Sequence, residues 1–251
     1  MHQISAVIIT RNEERNIARC LRSLNGVANE VVIVDAESTD RTVAIGKEHG
    51  ARVTIRQWTD YSDQKNFANS LAIYPYILSL DADEELSPAL RDLISKEKQR
   101  GLQGAYRFPR LTNYCGTWVK HGGWYPDRKI RLFPREKAKW EGAHVHEELK
   151  LDPSLKITDL TADLLHYSYH SIADHLVRIE RYSTLHARSM HAAGRNVGPI
   201  KVHLSPIVKF VQGYLLQLGF LDGSAGFHIA RLSAHAVKLK YKKLQQMQRG
   251  A

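Results

Sequence analysis

Strand-like and helix-like segments alternate four times in the first hundred residues, and this alternation leaves the chain few architectures. "ISAVIIT", "EVVIVDA", "ARVTI" and "YILSLDAD" are short, apolar, β-branched runs of the kind that fills a buried strand. The segments between and after them have helical character. "EERNIARCLRSL" places Ile17, Cys20, Leu21 and Leu24 at helical spacing, and "STDRTVAIGKEHG" opens on capping residues and closes on Gly50. "DYSDQKNFANSLAI" reads as a third helix, and "SPALRDLISKEKQ" offers Ser87 as N-cap and Pro88 at the first helical position. Such a series predicts an α/β fold, a Rossmann-like, mostly parallel sheet with helices on both faces. Ligands of these sheets bind beyond the carboxyl ends of the strands. The polar clusters there are Thr10-Arg11-Asn12-Glu13, Asp35-Ala36-Glu37-Ser38 and Asp81-Ala82-Asp83.

After Gly104 the pattern changes. "GAYRFPR", "KIRLFPR", "AHVHEEL" and "TADLLHY" read as short strands with irregular joins. From Ser171 onward three helical segments are expected, the second of them very apolar. Charge divides the chain in the same way. From Leu176 to the end there are twelve Lys/Arg against two acids, and this difference accounts for the whole net charge of +10. The picture is a neutral body with a basic tail, and such a tail suits an anionic partner. Two cysteines give no disulfide framework, and Cys20 is expected in the core. No basic-then-apolar leader precedes the first strand, so a reducing, cytoplasmic setting is expected.

"ILSLDADEEL" carries four carboxylates in five positions. Read as a strand, it points Asp81 and Asp83 the same way. Two adjacent carboxylates at a strand end are costly unless a cation sits between them. A divalent ion, Mg²⁺ or Mn²⁺, needs few protein ligands because it keeps waters and takes phosphate oxygens. The D-x-D is therefore a candidate site for a metal–diphosphate, with a solvated acidic turn as the bland alternative. Glu84 and Glu85 are expected to serve the next helix N-terminus. Asp35 is a candidate acceptor for a pyrimidine imide N–H, with Thr10 to Glu13 lining the same pocket. Gln64 and Lys65 open a helix, where Lys65 could steady a diphosphate or lie on the surface.

"VIITRNEERNIARCLRSL", "VVIVDAESTDRT" and "ILSLDADEEL" resemble the nucleotide-binding half of the inverting family 2 glycosyltransferases. "YRFPRLTNYCGTWVKHGGWYPDRKIRLFPR", "WEGAHVHEEL" and "GFLDGSAGF" resemble the lipopolysaccharide core β-glucosyltransferases that act on inner-core heptose. The resemblance implies a GT-A fold over residues 1–170, with 1–103 taking a UDP-sugar, 104–170 on the acceptor side, and 171–251 forming a basic helical region. It implies Thr10, Arg11, Asn12, Glu13, Asp35, Gln64, Lys65, Asp81 and Ala82 around the donor. It further implies a metal held by Asp83, with Asp81 nearby on ribose or metal water. His146 and His166 could supply a further metal ligand or a phosphate contact, with a structural role as the bland alternative. Inversion at the anomeric carbon needs one general base on the acceptor side. The Glu-Asp pair that carries it in many family 2 enzymes is not found. Asp127, in an aromatic and glycine-rich loop, and Glu147 remain as candidates, with Glu147 favoured. Arg128 and Arg131 are candidates for neutralising the diphosphate.

In "FHIARLSAHAVKLKYKKL", Arg231, His235, Lys238 and Lys242 form one helical stripe, and Ile229, Leu232, Ala236 and Leu239 form another. This basic amphipathic pattern suits an anionic membrane surface. The preceding apolar helix is too short and interrupted to span a bilayer. The expected enzyme is peripheral on the cytoplasmic face of the inner membrane, with a lipid-linked glycan acceptor; a protein or soluble glycan acceptor is the alternative. A nucleotidyltransferase would want a glycine-rich loop where "TRNEE" stands. A nucleic-acid binder would want interleaved aromatics that the tail lacks, so no nucleic acid is expected.

Overall fold

The computed structural model describes residues 3–142 and 147–249. It divides into two compact units. Unit 1 comprises the described residues up to Arg110 with Asp127–His166, and unit 2 comprises Leu111–Pro126 with the residues from Tyr167 onward. The segment 111–126 thus groups with the C-terminal helices.

Unit 1 begins with the expected alternation: β1 (Ile4–Thr10), α1 (Ile17–Ser23), β2 (Glu30–Asp35), α2 (Thr42–Glu48), β3 (Arg52–Ile55), α3 (Tyr61–Ser70) and β4 (Tyr76–Asp81). There follow β5 (Glu84–Leu86), α4 (Pro88–Arg100) and β6 (Ala105–Tyr114), which runs on into unit 2 and pairs there with β7 (Thr117–Val119). Unit 1 resumes with β8 (Asp127–Pro134), β9 (Ala138–Glu141), β10 (Glu148–Leu151), β11 (Ile157–Asp159) and β12 (Leu164–Tyr169). The sheet order is β3-β2-β1-β4-β8-β6-β12-β5. β1 to β4 are mutually parallel, and β8 joins β4 antiparallel. The parallel half is as read from the sequence; the other half is mixed.

β1 is buried along all seven residues, as a central strand covered on both faces must be. Its two faces feed two apolar layers. Ile4, Ala6 and Ile8 pack with Ile17, Cys20 and Leu24, while Val7 and Ile9 pack with Val34, Ala68 and Phe133. Parallel register then fixes the site, because Thr10 lies beside Asp35 and Ile9 beside Asp81. Ser87 caps α4 as expected, its hydroxyl accepting from Leu90 N at 3.2 Å, with Pro88 next.

One expectation is corrected. β4 ends at Asp81, Ala82-Asp83 form a turn, and Glu84 to Leu86 form the short strand β5 paired antiparallel with β12. Asp81 and Asp83 are therefore not successive residues of one strand face. Glu84 is not at a helix entrance either; Ser87 starts that helix, and Glu84 is turned into the core, 1% exposed.

Unit 2 contains α5 (Ile172–Ala192), α6 (Pro199–Val211) and α7 (Gly223–Arg249). Ser171 caps α5 by accepting from Asp174 N at 3.1 Å. Tyr114, Tyr169, Trp124 and His175 make an aromatic cluster, and the Tyr114 hydroxyl is hydrogen-bonded with His175 Nδ1 at 2.9 Å. Burial, helped by the charge of Arg178, lowers the His175 pKa from 6.5 to about 4. The unfolded chain takes this proton below about pH 6.5, whereas the folded imidazole refuses it until about pH 4. Stability of unit 2 should thus fall as pH drops through that window and level off below it, by at most about 3 kcal/mol. Urea midpoints followed by tryptophan fluorescence from neutral pH to about pH 4 check this, and His175→Asn should flatten the profile.

Candidate active site

Four carboxylates and three cations gather at the carboxyl end of β4 in unit 1. Arg131, on β8 and only 4% exposed, donates from Nη2 to Asp81 Oδ2 at 2.6 Å and to Glu84 Oε1 at 2.5 Å. Arg110 on β6 reaches Glu84 Oε1 at 3.2 Å and donates twice to Asp127 Oδ2, at 2.6 and 3.0 Å. Lys65, on α3 and also 4% exposed, lies 3.6 Å from Asp81 Oδ1 and 3.3 Å from Glu147 Oε1, over the Trp140 ring at 4.3 Å. Lys65 is therefore a buried bridging cation rather than a surface lysine.

This network answers part of the charge problem posed by the acid run. Burial works against ionisation of Asp81, but Arg131, Lys65 and Arg110 outweigh it and hold the carboxyl far below its ordinary range. Asp81 is compensated by the protein itself. Arg131 is likewise spent on Asp81 and Glu84, so it is a buried ion-pairing residue of β8 and not a surface arginine. Arg128 is the exposed member of that pair and lies 3.4 Å from Asp159.

Asp83 sits apart from this cluster. Its Oδ2 lies 3.3 Å from His166 Nε2, and both side chains are largely covered, at 15% and 13% exposure. The pairing follows from topology, since β12 brings His166 opposite Glu84 and hence beside the turn. Among the described residues no group of three His, Cys, Asp or Glu could hold a metal. His144 and His146 lie outside the described residues. An oxygen and an imidazole nitrogen on one spot nevertheless match the small protein ligand set that Mg²⁺ or Mn²⁺ accepts when waters and phosphate complete its shell.

The other strand ends are stitched together. Asn12 and Glu37 both take left-handed φ, +56° and +57°. For Glu37 especially this is a strained conformation that the surroundings must hold. Asn12 N donates to Ser38 Oγ, and Asn12 Oδ1 accepts from Thr39 N, each at 2.8 Å. Glu13 N donates to Thr42 Oγ1 at 2.8 Å. Asp35 is wholly buried and accepts from Ser38 N at 2.8 Å and from Ser38 Oγ at 2.5 Å, so here it braces the loop after β2. Arg11 is exposed and Ala82 is buried. Gln64 is buried, its Oε1 accepting from Arg56 Nη1 at 3.2 Å. Thr10 Oγ1, Gln64 Nε2, Arg131 Nε and Trp140 Nε1 are buried polar atoms without a partner among the described residues. Unmet polar atoms of this kind are costly unless a ligand or water satisfies them.

Of the two candidate bases, Asp127 is held by Arg110 and by Lys129 Nζ at 3.0 Å. Burial works to raise its pKa, but Arg110 and Lys129 outweigh this and leave it lowered. Glu147 has Lys65 beside it and is 21% exposed. Sequence reading missed Arg110, Glu84 and Trp140. The visible signal for Arg110 was its place in "YRFPR", a strand antiparallel to "DRKIR", where the register sets Arg110 opposite Asp127.

Comparison with known proteins decides the family. The model of glycosyl transferase family 2 matches residues 5–148. The chain belongs to that family. An uncharacterized glycosyltransferase of Rickettsia typhi is 32% identical over 259 residues, covering 98% of this chain and 88% of the relative. The lipopolysaccharide core biosynthesis glycosyltransferase LpsC of Rhizobium meliloti is 29% identical, covering 97% of this chain and 92% of LpsC. Among solved structures, glucosyl-3-phosphoglycerate synthase of Mycobacterium tuberculosis, in complex with Mn²⁺, UDP and glucosyl-3-phosphoglycerate, aligns with a TM-score of 0.51. At 14% identity over 78% of this chain and 82% of that one, it shows the shared GT-A fold. In this glycosyltransferase Asp81 ends β4 and Asp83 lies in the turn after it, at the carboxyl end of the parallel strands.

Proposed function

We propose that this glycosyltransferase moves a hexose, glucose by resemblance, from a UDP-sugar to a lipid-linked glycan such as the lipopolysaccharide inner core, with inversion and with a divalent metal. The observation that carries the donor half is the Asp83–His166 pair beside an Asp81 already neutralised by Arg131 and Lys65. Asp83 and His166 would hold Mg²⁺ or Mn²⁺, which supplies positive charge to the departing diphosphate. Thr10 Oγ1 and Gln64 Nε2 are the unpartnered groups suited to the nucleotide. The bound Mn²⁺ and UDP of the mycobacterial synthase support the same pairing of ligands.

The chemistry asks little else of the chain. Glu147 takes the proton from the acceptor hydroxyl as that oxygen attacks the anomeric carbon and the bond to the diphosphate oxygen breaks. Lys65 fixes the Glu147 carboxylate. Asp127, ion-paired with both Arg110 and Lys129 and lowered in pKa, serves to hold Arg110. The name of LpsC supports a lipopolysaccharide core acceptor. Unit 2 offers a cavity of about 160 Å³ lined by His121, Trp124, Lys209, Gln217, Asp222 and Ser233, an aromatic face with hydrogen-bonding groups that suits a sugar. A peripheral place on the cytoplasmic face of the inner membrane completes the reading.

Glu147→Gln tests the assignment of the base. Donor binding should be unchanged and kcat should fall by about 10³. A kcat within a few-fold of wild type would remove Glu147 from this role and turn attention to Asp127→Asn.

A further inference from the structure

The expected membrane-facing feature was the amphipathic pattern of α7, but its apolar stripe is already used. Ile229, Leu232 and Leu244 are buried, packed within unit 2 with residues such as Tyr114, Val119, Ala187 and Val202. The uncovered apolar surface lies elsewhere. Along α6 and the corner after it, Ile200, Leu204, Ile207, Val208, Leu216 and Leu221 are exposed, Ile200 at 77% and Leu216 at 75%. So large a run of exposed apolar side chains marks an interaction surface.

The corner that displays them is built rigidly. α6 passes through a wide turn at 212–216 and a short turn at 219–222 into α7, with the two arms bent by 72°. Glycines let the backbone fold onto itself here. A Cβ on Gly219 would lie 2.6 Å from Gly213 O, and one on Gly226 would lie 1.8 Å from Gly219 O. Asp222 is drawn inward, accepting from Lys120 N at 3.2 Å, His121 N at 2.8 Å and His121 Nδ1 at 2.9 Å. Asp222 is also the sole acid from Pro199 to the end of the chain, against eight Lys/Arg. The helices that carry the apolar corner are therefore strongly basic, with Arg231, Lys238 and Lys242 of α7 all exposed.

We infer that this corner is a membrane-docking wedge, seating its leucines and isoleucines in the headgroup–acyl boundary of an anionic bilayer while the cations of α6 and α7 meet lipid phosphates. Charge selects this occupant over a second copy, which would bring the same cationic surface against itself. No single described helix is long and apolar enough to cross a membrane; α6 and the bent arm after it would reach that length and composition only together, and α7 is committed to the core of unit 2, which favours a corner that dips in. This docking extends the lipid-linked acceptor reading above but does not require catalysis.

Flotation of the full chain with phosphatidylcholine vesicles, with and without phosphatidylglycerol, tests it. Wild type should float with the anionic vesicles and less so as salt rises. Leu204→Glu with Leu216→Glu should weaken binding at least about tenfold, with calorimetric nucleotide-sugar binding retained as the sign of an intact fold. Lys238→Glu with Lys242→Glu should reduce the dependence on phosphatidylglycerol. Wild type remaining unbound to both vesicles, or the leucine variant floating as wild type, would overturn the inference. So would a wild-type dimer in sedimentation that Leu216→Glu dissociates, since a second copy would then cover the face. Because the readout is binding, failure here leaves the glycosyltransferase assignment standing, and loss of turnover leaves the docking surface standing.

Discussion

Replacing Arg131 with methionine should destabilise the protein by about 3–5 kcal/mol, the cost of leaving buried carboxylates without their cation. Arg131 bridges Asp81 and Glu84, and Glu84 has no exposed side-chain surface. The residual cations are worse placed: Lys65 is 3.6 Å from Asp81 and Arg110 is 3.2 Å from Glu84. Arg131→Lys should recover only part of the loss, because the shorter lysine stem does not bring its ammonium to the place where Nη2 meets both carboxylates. Urea denaturation measures the effect. A double-mutant cycle with Glu84→Gln identifies its origin: the second substitution should cost less in the Arg131→Met background than in wild type. Additive losses would mean that the two residues do not act as a unit.

Asp83→Asn should have the opposite profile, with little change in stability and a loss of about 10³ or more in kcat, equivalent to several kcal/mol of charge stabilisation. The side chain lies in a turn, its shape is preserved by the substitution, and its ion pair is with His166 on β12. What is lost is the negative oxygen beside His166. The same variant should lose the dependence of activity on Mn²⁺. His166→Gln should weaken the metal response less, because a neutral oxygen donor can replace the imidazole there. A variant with full activity and unchanged metal response would remove Asp83 from the metal.

Much of this was legible in the sequence for one reason: parallel βα units leave local marks. β1, β2 and β4 are largely buried apolar runs, Cys20 falls on the buried stripe of α1, and Ser87-Pro88 start α4 where expected. The strand ends therefore pointed to polar clusters that the parallel register brings together, with Thr10 beside Asp35 and Ile9 beside Asp81. The ion pairing was not legible, because Arg110 on β6, Arg131 on β8 and Glu84 on β5 meet only once the antiparallel pairings β8·β4, β8·β6 and β12·β5 form between residues far apart in the chain. Strand alternation failed at Asp83 because the chain turns at Ala82 to add β5 to the far end of the sheet. The basic and apolar stripes of α7 were read correctly as stripes. Which of them faces water depended on the packing of α5 and α6, and no periodicity within α7 reports that.

The central claim is that the D-x-D turn holds a metal–diphosphate, and calorimetric titration of UDP-sugars with and without Mn²⁺, into wild type and Asp83→Asn, tests it most directly. The structure predicts Mn²⁺-dependent binding of a UDP-hexose by wild type and its loss in the variant, with both proteins equally folded. Binding of equal affinity by both proteins, or in the absence of metal, would contradict it.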